Sequence, residues 1–172
     1  MMAEGDNNGL VLRPRRAPIH VVMVPVVKKP EEEEAVLAKM REFKELMERA
    51  GLTVKIDDRD NLRSGFKYAE WELKGVPVRI AMGPRDLENR TAEVVRRDTL
   101  EKEFVSWDSL VEHVAALMEQ IQQNIYKKAL DFRNANTYKV DSWDEFKQKI
   151  EEGGFLLCHW DGTKETEAKI QE

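Results

Sequence analysis

The sequence predicts an α/β fold: a three-layer domain around a mixed, about five-stranded sheet, followed by a partial smaller α/β domain. Two patterns carry this expectation. Short apolar runs rich in branched residues alternate with amphipathic helical stretches in the order βαβαβ and then ββα. Glycine or proline punctuates most of the junctions between them.

Residues 1–18 contain two glycines, two prolines and three arginines without periodicity, and read as a linker or tail. Residues 19–27 are apolar except for His20 and Pro25, as expected of a strand buried on both faces. Pro30 and four glutamates then open a helix, since a first turn tolerates proline and its free N–H groups favour negative charge. Val36, Met40, Phe43, Met47 and Ala50 form one apolar stripe, and Gly51 is the expected stop. Residues 52–57 alternate as a short strand, and residues 58–65 form a charged loop. A short helix follows over about 66–74, ending at Gly75. Residues 76–82 are again a strand, with Val76, Val78 and Ile80 on one side. Gly83, Pro84, Arg85 and Asp86 read as a turn. Residues 91–97 and 102–105 form a strand pair around Asp98 and Thr99. A long helix spans about 107–132, with Leu110, Val114, Leu117, Ile121, Ile125 and Ala129 at helical spacing.

A second unit starts near Tyr138. Residues 142–152 are helical with Asp141 or Ser142 as cap, and residues 154–160 are a strand. A last helix begins at residue 162 and meets no stop signal, which suggests a piece of a longer protein. The expected organisation is a tail over 1–16, a main domain over 17–118, and a connecting helix with a partial domain over 119–172. No internal repeat is visible.

Of the 172 residues, 41% are apolar and 35% charged, enough for a core and a soluble surface. No apolar run approaches the ~20 residues of a membrane helix, so no membrane partner is expected. No signal segment is evident. The single cysteine, Cys158, rules out an internal disulfide and suits a reducing compartment such as the cytoplasm. The net charge of −5 is uneven: residues 1–54 are neutral, 55–97 carry +2 and 98–172 carry −7. That balance excludes a protein that coats nucleic acid non-specifically and permits one that reads a few bases.

Chemistry-bearing residues are sparse. His20, His113 and His159 stand far apart without ligand spacing, and one cysteine cannot build a thiolate cluster, so no metal is expected. Cys158 lies in an apolar run and reads as a buried, inert thiol. Asp57, Asp58, Arg59 and Asp60 close a strand, where α/β sites form. They could serve acid/base or metal chemistry, or form a solvated loop held by Arg–Asp pairs. No phosphate-binding glycine motif is present. On the helix at 66–74, Phe66, Ala69 and Leu73 share a face that could pack on the sheet. Tyr68, Trp71 and Glu72 lie beside it, with Tyr68 and Glu72 at i and i+4. That is either an ordinary surface helix or a recognition face with a ring for stacking and a carboxylate alongside.

Asp57-Asp58-Arg59-Asp60, then Glu70-Trp71-Glu72-Leu73-Lys74-Gly75-Val76-Pro77, then Gly83-Pro84-Arg85-Asp86-Leu87 resemble the anticodon-binding domain of prolyl-tRNA synthetases of the archaeal/eukaryotic-like type. Ala17-Pro18-Ile19-His20-Val21-Val22 resembles the start of that domain. Threonyl-, histidyl- and glycyl-tRNA synthetases share the fold but are less similar. Gly5-Asp6-Asn7-Asn8-Gly9-Leu10 resembles the segment that closes the catalytic domain of these class II enzymes, although the family usually has histidine at Glu4 and proline at Arg13. The resemblance therefore implies a non-catalytic part of a proline–tRNA ligase, with ATP and Mg belonging to a catalytic domain outside it. It also implies proline tRNA as partner, the catalytic domain of the same enzyme as neighbour, and a homodimeric parent. Val140-Asp141-Ser142-Trp143 and Gly154-Phe155 resemble the C-terminal domain that often binds zinc. The first cysteine ligands would fall at Asp161 and Thr166, so zinc is not carried over.

The family's base-reading positions fall on Tyr68, Glu72, Arg79, Arg85 and Asp86, with lysine also occurring at Arg85. Proline anticodons share guanine at their second and third positions. A carboxylate matches the N1–H and N2–H₂ donors of guanine, and an arginine matches O6 and N7. Splayed loop bases stack on aromatic rings. Two other readings stay open on the residues alone: a stand-alone adaptor working through the acidic C-terminal third, and a small enzyme using Asp57, Asp58 and Asp60.

Overall fold

The computed structural model describes residues 5–171; Glu4 lies outside them. The chain forms two compact units, one ending at Tyr126 and the other beginning at Lys127.

The first unit opens with an antiparallel hairpin of β1 (Gly5–Asp6) and β2 (Gly9–Leu10) and a single 3₁₀ turn, Pro14–Arg16. The sequence here shows no periodicity and reads as a linker or tail, yet the segment is ordered against the domain. It is held because Arg97 donates two hydrogen bonds to the Asp6 carboxylate, at 2.7 and 2.6 Å. The Leu12 N–H also donates to the Gly75 carbonyl at 3.2 Å. Gly75 has φ +73°, and a Cβ there would lie 2.7 Å from the Leu10 backbone, so the approach requires glycine.

The sheet follows: β3 (Val21–Pro25), α1 (Pro30–Arg49), β4 (Val54–Ile56), α2 (Ser64–Leu73), β5 (Val78–Met82), α3 (Pro84–Asn89), β6 (Thr91–Arg96), β7 (Lys102–Ser106) and α4 (Leu110–Ala135). The strand order is β4-β3-β5-β6-β7. β3 runs parallel to β4 and β5, whereas β6 and β7 are antiparallel. This is the mixed five-stranded sheet that the sequence predicts.

Side-chain alternation divides the layers. Val21, Met23, Val78, Ile80 and Met82 face α1 and α4, where Met40, Phe43, Met47, Leu110, Val114 and Ile121 complete the main core. Val22 and Val24 face the other way, onto Trp71 and Val76 beneath α2. Val76 therefore lies opposite Val78 and Ile80 in the packing, not beside them as expected, because it precedes the strand.

Two further expectations are corrected. Gly83-Pro84-Arg85-Asp86 is not an isolated turn: Pro84 begins α3, a position where its missing N–H costs nothing. On α2 the expected packing face is inverted. Phe66 and Leu73 are 59% and 61% exposed and Ala69 is exposed, whereas Lys67 and Trp71 are buried.

In the second unit, β8 (Thr137–Val140) pairs in parallel with β9 (Phe155–Cys158) around α5 (Trp143–Glu152), and α6 (Lys164–Gln171) ends the described chain. Ser142 caps α5 by accepting from the Glu145 N–H at 3.3 Å. Val140 and Phe146 are buried. The two-stranded sheet is too small to enclose β9, so Cys158 is exposed and not the buried thiol expected from its apolar neighbours.

Candidate nucleic-acid interface

In an open sheet with parallel strands, ligands bind beyond the strand carboxyl ends where the order of connection reverses. Here the chain leaves β3 toward β4 over one face, through α1, and returns to β5 over the other, through α2. The reversal therefore lies between β3 and β5. At their carboxyl ends the Val26 N–H donates to the Met82 carbonyl at 2.9 Å. Beyond this point opens a cleft of about 560 Å³, lined among others by Lys28, Lys29, Tyr68, Arg85, Asp86 and Glu93.

Tyr68 projects from α2 and is half-buried against the smaller core. Burial pushes its phenol pKa upward. The Arg79 guanidinium, from β5, lies 3.6 Å from the centre of the Tyr68 ring, a close cation–π stack. Arg79 also donates from Nη1 to Glu93 Oε1 at 3.3 Å, and Glu93 Oε2 pairs with Lys102 Nζ at 2.7 Å. The Arg79 Nε is buried without a hydrogen-bond partner among the described residues.

Glu72 lies one turn after Tyr68 and shares a small crevice with Arg79, Trp71 and Arg97. Its backbone carbonyl accepts from Arg97 Nε at 2.9 Å, while its carboxylate pairs with no described residue. Arg85 is exposed at the start of α3, also without a partner among the described residues. Asp86 is partly committed: Oδ2 accepts from the Gly83 N–H at 2.8 Å, and Oδ1 from Thr91 Oγ1 at 3.3 Å. It holds the first turn of α3 and lines the cleft at the same time.

The five positions thus divide. Tyr68 and Arg79 are in contact, Arg85 and Asp86 share the Tyr68 cleft, and Glu72 borders the adjoining crevice. Glu93, Lys28 and Lys29 were not anticipated. Alternation along β6 was the available signal for Glu93, because it puts Ala92 and Val94 in the main core and Glu93 on the α2 face. Its partner depends on register, in which Ala81 opposes Glu93 and Arg79 opposes Val95.

The aspartate cluster explains why α2 sits as it does. Asp57 is 2% exposed. Its carboxylate accepts from Arg59 Nε and Nη2 at 2.7 and 2.6 Å and from Trp71 Nε1 at 2.7 Å. Lys67 Nζ donates to the Asp57 carbonyl at 3.0 Å. Arg59 reaches on to Glu70 at 2.7 Å. The Arg59 bonds, followed by that of Trp71, hold the Asp57 carboxyl well below the usual carboxylate range. Polar anchoring to Asp57 therefore turns Lys67 and Trp71 inward and Phe66 and Leu73 outward. A carboxylate so engaged is a fastener, not an acid or base, which removes the small-enzyme reading for Asp57. Among the described residues, no group of three or more His, Cys, Asp or Glu side chains could hold a metal, and no helix is long and apolar enough to cross a membrane.

Residues 20–117 match the family model described as the anticodon binding domain. The chain belongs to the anticodon-binding domain family. Over its full length this anticodon-binding domain chain is 56% identical to a proline–tRNA ligase of Bacteroides fragilis (strain ATCC 25285) and 55% identical to one of Phocaeicola vulgatus. It is 52% identical over 171 residues, 99% of the chain, to one of Porphyromonas gingivalis (strain ATCC 33277). The chain spans about a third of the length of these relatives, 35% in each case. The match to the anticodon binding domain agrees with the fold that the sequence resemblance implies.

Proposed function

We propose that this domain reads the two guanines of the proline anticodon, within a cytoplasmic, homodimeric ligase that activates proline with ATP and joins it to tRNA. On this reading ATP and Mg belong to the catalytic domain, outside the present chain. The observation that carries the proposal is the Tyr68–Arg79 stack at the strand-reversal cleft, with the unengaged Glu72 carboxylate one helical turn away. A splayed base stacks on this aromatic–guanidinium layer. Glu72 accepts from guanine N1–H and N2–H₂, and Arg79 or Arg85 donates to O6 and N7 of the neighbouring guanine. Asp86 contributes through whatever acceptor capacity its capping bonds leave free.

The test is Glu72→Gln. The substitution keeps the shape and replaces one acceptor oxygen with a donor that faces a guanine N–H. It is expected to weaken binding of proline tRNA by about 1–3 kcal/mol, the scale of one base contact, and to leave unchanged the binding of tRNA whose two guanines are replaced. Equal weakening of both tRNAs would mean that Glu72 is not a base reader.

A further inference from the structure

We propose that Glu93 is a specificity-determining residue of this cleft, one that keeps Arg79 as a base reader and prevents it from acting as a general phosphate binder. The inference rests on the anticodon-reading function proposed above.

Three observations carry it. First, Glu93 is the carboxylate through which two cations of the site are coupled: Arg79 at 3.3 Å on one oxygen and Lys102 at 2.7 Å on the other. Second, the Arg79 side chain is only 11% exposed and that of Glu93 only 17%. Solvent therefore screens this pair far less than a surface ion pair. Third, Arg79 is held in a fixed plane over Tyr68. Of its five N–H donors, one goes to Glu93 and the Nε–H is buried. What remains is a short, oriented edge of the guanidinium.

A phosphate and a guanine place different demands on that edge. Phosphate is an anion that any accessible cation attracts whatever the sequence, and an arginine fork can also bind it bidentately. Glu93 opposes it twice, by neutralising Arg79 and Lys102 and by repelling an approaching anion. The O6 and N7 edge of guanine is neutral and directional, so the carboxylate behind Arg79 does not repel it. In the cognate complex Arg79 is taken by guanine and cannot also take a phosphate, so Glu93 penalises mainly nucleic acid that lacks that base, which raises discrimination. Lys28, Lys29 and Arg85 line the same cleft. Glu32 and Asp86 also line it, but the carboxylate in contact with Arg79 and Lys102 is that of Glu93.

The test is Glu93→Gln in the 172-residue chain. Glutamine keeps the size and one acceptor for Arg79 but removes the charge. Dissociation constants are measured for proline tRNA with its native anticodon and with both guanines replaced, across a range of salt, together with thermal unfolding. The variant is expected to bind the guanine-replaced tRNA at least ~3-fold more tightly, with a salt slope steeper by about 0.7, the value for one added single-strand phosphate contact. Because the cognate base contact is kept, the ratio between the two tRNAs is expected to fall by about the same ~3-fold. Glu93→Asp, which retains the charge, is expected to keep the wild-type salt slope. If Glu93→Gln weakens both tRNAs together, or leaves the ratio and the slope unchanged, the role assigned to Glu93 is wrong. A wild type that fails to distinguish the two tRNAs overturns the anticodon-reading function itself, and the role of Glu93 with it. The two failures are told apart by the wild-type ratio alone.

Discussion

Asp57→Asn tests the anchoring of α2. Asparagine keeps a carbonyl oxygen for the Trp71 Nε1–H but turns an amide donor, or an uncharged acceptor, toward the Arg59 fork. The two charged bonds at 2.7 and 2.6 Å are lost. Breaking a fully buried pair costs about 3–5 kcal/mol, because the surviving charge is stranded. Arg59 is not stranded: its side chain is 40% exposed and remains on Glu70. The expected loss is therefore lower, about 2–3 kcal/mol. With roughly 3–5 °C per kcal/mol for a unit of this size, the unfolding midpoint of the first unit should fall by about 6–15 °C.

The pH dependence follows from the depressed pKa of Asp57. A carboxyl whose folded pKa lies below its unfolded value stabilises the fold fully above the unfolded value, near pH 4. That contribution is lost as pH falls toward the folded value. The gap between wild type and Asp57→Asn should therefore be constant from pH 7 to about 4.5 and should narrow at lower pH. The assay is thermal unfolding followed by circular dichroism at several pH values. A midpoint shift under ~2 °C at pH 7, or a gap that widens in acid, would refute the reasoning.

Two further outcomes concern the other end of α2. Arg97→Lys removes the two-pronged contact to Asp6 and the bond to the Glu72 carbonyl. Because Asp6 is 41% exposed, solvent moderates the loss to about 1–2 kcal/mol in urea unfolding. Asp6 titrates at about 2, lowered chiefly by the Arg97 bonds, so the difference between Arg97→Lys and wild type should persist down to about pH 4 and fade as pH approaches 2. Gly75→Ala should lose more than the roughly 1–2 kcal/mol of a left-handed backbone position, because the new Cβ meets the Leu10 backbone at 2.7 Å. A Gly75→Ala protein as stable as wild type in urea would contradict that packing.

The order of elements was legible because each strand and helix of the main core carries its own period. Val36, Met40, Phe43 and Met47 line α1 as their spacing predicts, and Leu110, Val114 and Ile121 do the same for α4. The face of α2 was not legible. Hydrophobicity alone favours Phe66, Ala69 and Leu73, yet a buried carboxylate on the preceding loop outweighs them by offering partners to Lys67 and Trp71. The N-terminal hairpin has no period to read, since its anchor is an ion pair between residues 91 positions apart. In α3 the proline of Gly83-Pro84 suits a turn or a first helical position equally well. Asp86, three residues after Gly83 and bonded back to its N–H, was the overlooked helix signal. At the site, the i, i+4 relation of Tyr68 and Glu72 was visible in sequence. The Arg79–Glu93–Lys102 chain was not, because it depends on the registers of β5, β6 and β7.

Equilibrium binding of the wild-type chain to proline tRNA, beside the same tRNA with its two anticodon guanines replaced, tests the central claim most directly. Two base contacts of about 1–3 kcal/mol each predict binding at least ~30-fold weaker for the replaced anticodon at equal salt. Equal affinity for the two tRNAs would contradict the claim that this cleft reads the anticodon.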